Sequence, residues 1–280
     1  MRRKGITMDG LEFWKMSGSG NDFILIDNRD GRVPPEEMGR LVARACRRRE
    51  SVGADGVIFV VPSERADFAW RFFNADGGEA EMCGNGGRCV ARFAHLKGIA
   101  GPEVTFETLA GPISAEVRGR VVKVRMPRPF GLHLDVDLPW GEGWRSVDFV
   151  NTGVPHVVVR VDDLERIPVN EIGRWIRYHD LFAPAGTNAN FIRITGPRDL
   201  EIRTYERGVE DETLACGTGS MAAALVSARR GLVKSPVRVR TRGGEELVIH
   251  SSDGEDRAPE VWLEGSTTIV YRGELGEEAL

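Results

Sequence analysis

The 280-residue chain has no apolar run long enough to cross a bilayer, no cationic excess and only four cysteines. A transmembrane helix needs about 20 apolar residues in a row, so none is expected. Met1-Arg2-Arg3-Lys4 is basic, but no apolar segment follows it, and no secretory signal is read there. The formal charge of −4 argues against a nucleic-acid partner, which usually calls for a basic surface. It suits a small-molecule ligand. Four cysteines are too few for a disulfide framework in a chain this long, so reduced thiols and a cytoplasmic setting are expected. No Cys-x-x-Cys occurs, which removes a common zinc signature. No metal or organic cofactor is expected.

What is present is ordinary for a globular protein, with 41% hydrophobic and 29% charged residues. The length is comfortable for two domains. The informative feature is a repeat. Met82-Cys83-Gly84-Asn85-Gly86 resembles Ala215-Cys216-Gly217-Thr218-Gly219 at an offset of 133 residues. The same offset pairs Gly20 with Gly153, Asp30 with Asp163, Pro35 with Pro168, Gly98 with Gly231, Thr108 with Thr241 and Gly111 with Gly244. Most of these are turn and cap residues, which decide where elements begin and end.

The elements repeat as well. Phe23–Asp27 and Val157–Val161 read as strands, and Pro35–Cys46 and Pro168–Tyr178 as helices. Strands Phe68–Phe73 and Leu200–Tyr205 each precede a cysteine loop. Helices Gly87–Lys97 and Ser220–Arg230 follow the loops, and strands Val104–Thr108 and Val237–Thr241 follow the helices. Many strands with few helices argue against a doubly wound sheet. The expected fold is α+β, in two pseudo-symmetric halves: residues 1–127, and residues 128–266. The seam falls near Pro127-Arg128-Pro129. A cleft between two such halves is the expected place for a ligand.

Each cysteine falls at a strand-to-helix turn rich in glycine, where backbone can approach a ligand closely. The first N–H groups of a helix lack intrahelical partners, and its dipole favours an anion there. The same dipole lowers a thiol's pKa from its ordinary value of about 8.5. Two such helix starts would clamp a carboxylate and flank the adjacent carbon with two sulfurs. One thiolate removes a proton, the opposite thiol returns one, and the centre inverts. Taken singly, a cysteine is more often a small buried hydrophobe. Cys46 and Cys89 are read that way.

The quoted loops resemble those of diaminopimelate epimerases. So do Lys15-Met16-Ser17-Gly18-Ser19-Gly20-Asn21-Asp22-Phe23, Phe73-Asn74-Ala75-Asp76-Gly77, Gly153-Val154-Pro155-His156, Asn188-Ala189-Asn190-Phe191 and Tyr205-Glu206-Arg207-Gly208. The resemblance covers nearly the whole chain, in order. It implies cofactor-independent interconversion of LL- and meso-diaminopimelate, on the route to lysine and peptidoglycan. It also implies a curled, mostly antiparallel sheet around a central helix in each half, with the C-terminal strand, about residues 267–280, returned to the first half. By the family's motif, Cys83 and Cys216 are the acid/base thiols, and His156 and Glu206 tune them. Gly84, Asn85, Gly217 and Thr218 hold the reacting carboxylate. Asn21, Asn74, Asn188, Glu206 and Arg207 hold the rest of the substrate. A homodimer is implied, with Tyr271 at its contact.

Two positions depart from the family. Val154 stands where many members carry asparagine, and Gly56 where some carry glutamine. Both bear on the far end of the substrate. The rival readings are a same-fold racemase of another amino acid, a non-catalytic amino-acid binding protein and a thiol-redox protein. Loss of either thiol separates the first two, since only an enzyme requires both.

Overall fold

The computed structural model describes residues 10–140, 144–252, 259–276 and 278. The basic opening Met1–Lys4 lies outside them. The chain forms two compact units, Met1–Val124 with Ser266–Leu280, and Arg125–Gly265. Their division falls just before the Pro127–Pro129 segment.

In chain order the first stretch holds β1 (Leu11–Gly18), β2 (Asn21–Asp27), α1 (Pro35–Ala45), β3 (Gly56–Val61), β4 (Phe68–Asn74), α2 (Gly84–Leu96), β5 (Glu103–Thr108), β6 (Gly111–Arg118) and β7 (Val121–Arg125). The next holds β8 (Phe130–Trp140), β9 (Trp144–Asn151), β10 (Pro155–Arg160), α3 (Val169–Arg177), β11 (Asn188–Gly196), β12 (Asp199–Glu206) and β13 (Asp211–Thr213). It continues with α4 (Gly217–Arg229), β14 (Val237–Arg240), β15 (Glu246–Ser251) and β16 (Val261–Ser266). β17 (Thr268–Leu275) pairs antiparallel with β1 and so completes the first unit.

The first unit orders its strands β17-β1-β2-β3-β4-β5-β6-β7. The second orders them β8-β9-β10-β11-β12-β14-β15-β16, with β13 a short branch on β12. Read along each sheet, the third and fifth pairings are parallel and the others antiparallel. The repeat seen in the glycines is therefore a repeat of topology. Gly98 and Gly231 close equivalent helices with φ of 69° and 71°, a left-handed turn that glycine adopts without penalty.

Each unit has one peripheral and one central helix. α1 turns Met38, Leu41, Val42 and Ala45 inward, against a core that includes Ile24, Ile26, Val57 and Phe59. α3 turns Val169, Ile172 and Ile176 inward, and Gly173 comes so near β12 that a Cβ there would lie 2.3 Å from Tyr205 Cβ. α2 and α4 are buried along most of their length, and small or apolar residues cover all sides of α4. α4 touches β9, β10, β11, β12, β14 and β15. A helix is about 10–12 Å wide and strands lie about 4.8 Å apart, so a flat sheet could not meet one helix with six strands. The sheet curls around the helix, and the fold is α+β. Among the described residues no helix is long and apolar enough to cross a membrane.

Both central helices begin earlier than their glycines suggest. α2 starts at Gly84 rather than Gly87, and α4 at Gly217 rather than Ser220. Glycine in a helix costs about 1 kcal/mol relative to alanine, so glycine-rich loops read as non-helical. Here the first turn is held by a cap that the cysteine itself supplies.

Candidate active-site loops

Cys83 is the N-cap of α2, with extended backbone (φ −142°, ψ 118°). Its Sγ accepts from the Gly86 N–H at 3.5 Å. Cys216 caps α4 in the same conformation (φ −127°, ψ 112°), and its Sγ accepts from the Gly219 N–H at 3.4 Å. A serine or aspartate oxygen caps a helix in this way. Sulfur in that role is a poorer acceptor, but it lies where the helix dipole favours negative charge. The N–H groups of Gly84 and Asn85, and of Gly217 and Thr218, open their helices without intrahelical partners.

The surroundings of the two sulfurs then diverge. In the second loop the Thr218 hydroxyl lies 3.4 Å from Cys216 Sγ, and the Thr218 carbonyl accepts from Thr152 Oγ1 at 3.0 Å. In the first loop Asn85 is buried and its amide turns elsewhere. Asn85 Nδ2 donates to Asn21 Oδ1 at 2.6 Å, and Asn85 Oδ1 accepts from Arg88 Nη2 at 2.9 Å. Asn21 Nδ2 in turn donates to Asp55 Oδ2 at 3.1 Å. A carboxylate can only accept and a guanidinium can only donate, so Asp55 and Arg88 fix the orientation of both amides between them.

Asp55 is itself held. Arg48 bridges it to Asp22, with contacts of 2.9 Å to Asp55 and 2.6 Å to Asp22. Lys15, only 5% exposed, meets Asp22 at 2.9 Å and also donates to the Gly53 carbonyl. Burial works to raise the Asp22 pKa, but the hydrogen bonds from Arg48 and Lys15 outweigh it and hold the carboxyl below its ordinary value. Cys46 lies near this group. Its thiol is pushed up to about 12 by burial, which leaves it inert, as expected for a core cysteine.

In the second unit β10 and β11 run parallel, with His156 opposite Asn188. His156 is fully buried, and burial pushes its pKa down to about 3, so the ring is neutral. Asn188 Nδ2 donates to the Pro155 carbonyl at 2.8 Å, and its Oδ1 accepts from the Arg207 N–H at 2.8 Å. The Arg207 guanidinium donates to the Ala185 carbonyl at 3.0 Å. Glu206, at the end of β12, accepts from Thr213 Oγ1 at 2.9 Å. Burial raises its pKa, and the Thr213 bond offsets only part of that.

The remaining expected residues are less engaged. Asn74 ends β4 with an exposed side chain. Tyr271 is 42% exposed on β17, its ring edge-on to Phe13 with centroids 5.8 Å apart. Val154 is half-buried in a turn, where its carbonyl accepts from the Thr152 N–H. Gly56 pairs with Asn74 across β3 and β4, and a Cβ there would lie 2.5 Å from the Phe73 carbonyl oxygen. No larger residue fits at that position without moving the strand.

Two supporting residues are given no role by the motif reading. Asp55 is one. Asn190 is the other: its Nδ2 lies 2.8 Å from the Val157 carbonyl and 3.1 Å from His156 Nδ1, and its Oδ1 accepts from Thr204 Oγ1 at 3.0 Å. The spacing Asn188-x-Asn190 on a strand carries a signal, since alternate residues share a face.

Known proteins match along this whole arrangement. The family model for diaminopimelate epimerase covers residues 13–129 and 149–270. The diaminopimelate epimerase of Aquifex aeolicus is 49% identical, covering 96% of this chain and 99% of that protein. The one from Methanothrix thermoacetophila is 45% identical, covering 98% and 99%. Among solved structures, a Bacillus anthracis phenazine biosynthesis protein of the PhzF family superposes with a TM-score of 0.73 at 19% identity, covering 95% of this chain and 98% of that one. A hydroxyproline epimerase from Agrobacterium vitis gives 0.67 at 20%, covering 99% and 94%. At those identities the two structures share the fold alone. The sequence matches run through both cysteine loops, and by them the chain belongs to the diaminopimelate epimerase family.

Proposed function

We propose that this chain interconverts LL- and meso-diaminopimelate without a cofactor, as an isomerase of lysine and peptidoglycan precursor synthesis, with Cys83 and Cys216 as its two acid/base thiols. The observation that carries the reading is the matched pair of sulfur-capped helix starts in two units of one topology. One cysteine acts as thiolate and takes the proton from the α-carbon, leaving a carbanion and a thiol. The other cysteine, as thiol, gives its proton to the opposite face and is left as thiolate. No atom is gained or lost, and the two sulfurs exchange protonation states in each turnover. Charge that builds on the substrate carboxylate meets the N–H groups of Gly84, Asn85, Gly217 and Thr218, already oriented before reaction.

Asn21, Asn74, Asn188, Glu206 and Arg207 hold the rest of a zwitterionic substrate. Arginine suits its carboxylate, Glu206 its ammonium, and the amides either. His156 and Glu206 set the polarity around the thiols. Tyr271 and the exposed Val270 beside it support a homodimer contact along β17. The pathway and the reduced thiols support a cytoplasmic setting.

The decisive experiment incubates reduced protein with LL-diaminopimelate in deuterated water and follows α-hydrogen exchange and stereochemistry. Exchange with inversion at one centre is expected. Binding without exchange would leave a non-catalytic binding protein. Val154 and Gly56 favour one second reading, a same-fold epimerase whose substrate differs at the far end. A panel of amino acids in the same assay separates the two.

Asp55→Ala tests the positioning of Asn21. Removing the carboxylate releases that amide while Arg48 keeps Asp22. The expected result is a rise in KM of about tenfold, the worth of one charge-assisted hydrogen bond. An unchanged KM would separate Asn21 from substrate binding.

A further inference from the structure

The buried polar groups of β10, β11 and β12 carry one more conclusion. His156 Nε2 is fully buried and meets no hydrogen-bond partner among the described residues. Its other nitrogen, Nδ1, faces Asn190 Nδ2 at 3.1 Å. Which atom of an asparagine amide is nitrogen is normally an assignment. Here it is forced. The Val157 carbonyl can only accept, and it lies 2.8 Å from the same amide terminus, so that terminus must be the NH2. The Thr204 hydroxyl then donates to the other end.

An NH2 group facing Nδ1 requires a lone pair on Nδ1. In a neutral imidazole the proton must then sit on Nε2. We propose that Asn190 is a positioning residue that locks His156 as the Nε2–H tautomer, so that the imidazole offers substrate a hydrogen-bond donor and takes no proton from it. The inference rests on the reading of His156 as part of the reactive site. It makes the ring a fixed dipole whose N–H lies at the unpartnered Nε2, of the kind that stabilises developing negative charge. Asn190 also reaches the second cysteine loop. A Cβ on Gly219 would lie 2.4 Å from Asn190 Oδ1, so this amide packs directly on the turn that caps with Cys216.

The tautomer is read by nitrogen NMR of protein labelled in its histidine rings, with the His156 signals assigned by their loss in His156→Gln. A pyrrole-type Nε2 and a pyridine-type Nδ1 are expected in the substrate-free protein. A proton on Nδ1 would overturn the proposal. That spectrum needs no substrate, so it fails separately from the epimerase reading, which the exchange experiment tests. In Asn190→Asp the facing group becomes an acceptor, and the proton should move to Nδ1 while kcat falls. Persistence of the Nε2–H pattern there would remove Asn190 from the role.

A pair of ring replacements gives an independent measure if Asn190→Asp does not fold. Glutamine can accept from Asn190 through Oε1 and donate through Nε2, whereas leucine can do neither. His156→Gln should keep a kcat about tenfold above His156→Leu. Equal loss in the two would show that the ring does not act as a donor.

Discussion

Cys83→Ala and Cys216→Ala should each abolish epimerisation. An inversion needs a base on one face of the carbon and an acid on the other, so one thiol cannot do half the work. Loss of the fold does not explain such a result in advance. Replacing a cap residue with alanine costs about 0.5–2 kcal/mol, against the 5–15 kcal/mol that typically holds a domain folded. The serine variants sharpen the test. Serine is a strong helix cap, so Cys83→Ser and Cys216→Ser keep the helix starts while replacing a thiol with a far weaker acid. Folded protein without turnover is expected from all four. A single remaining thiolate can still take the α-proton from one stereoisomer and return it to the same face, so isotope exchange without inversion fits the mechanism. Near-normal turnover in either alanine variant would end it.

The second large effect separates two glycines that the repeat makes equivalent. Gly86 and Gly219 occupy the same place in α2 and α4, and each donates its N–H to the capping sulfur. At Gly86 a Cβ would approach the Ile58 Cδ1 at 3.1 Å, the flexible end of an aliphatic side chain. At Gly219 it would lie 2.4 Å from Asn190 Oδ1 and 3.3 Å from Cys216 Sγ. Asn190 is fully buried and held by the Val157 carbonyl and Thr204, so it has nowhere to go. Gly219→Ala must therefore displace the amide, the sulfur or the helix start. A shift of about 1 Å at a reacting group costs on the order of 100-fold in rate. Gly219→Ala should lose that much, whereas Gly86→Ala should stay within about tenfold of the parent, since alanine favours the helix by about 1 kcal/mol. Measuring kcat and Tm for both decides it. Equal rates in the two variants would mean that Asn190 is not braced as described.

The contrast shows how far a sequence can be read. Gly98, Gly111, Gly231 and Gly244 mark real turns in matched places, because a left-handed φ leaves a glycine signature in the chain. The cysteine pair is legible for the same reason: a cap and its glycines lie within a few residues. The helix starts at Gly84 and Gly217 are not legible, since local propensity opposes them and a sulfur acceptor overrides it. Asp55 and Asn190 are missed because their partners are remote. Asn21 lies 34 residues from Asp55, and His156 lies 34 from Asn190. Only the sheet registers bring them together. Strand β8 was open to reading from the alternation Leu132, Leu134, Val136, Leu138, which turns one face inward and leaves the other to solvent.

The pairing of β1 with β17 has a consequence for how the polypeptide is made. Leu11 sits opposite Leu275, so the sheet of the first unit draws on both ends of the chain. The second unit is contiguous and enclosed in sequence by the first. As the chain emerges from the ribosome, the inner unit has all its strands before the outer one does. Until β17 arrives, β1 is an open sheet edge beside β2, with the exposure to mispairing that such edges carry. β17, made after every strand of the inner unit, closes the first sheet begun.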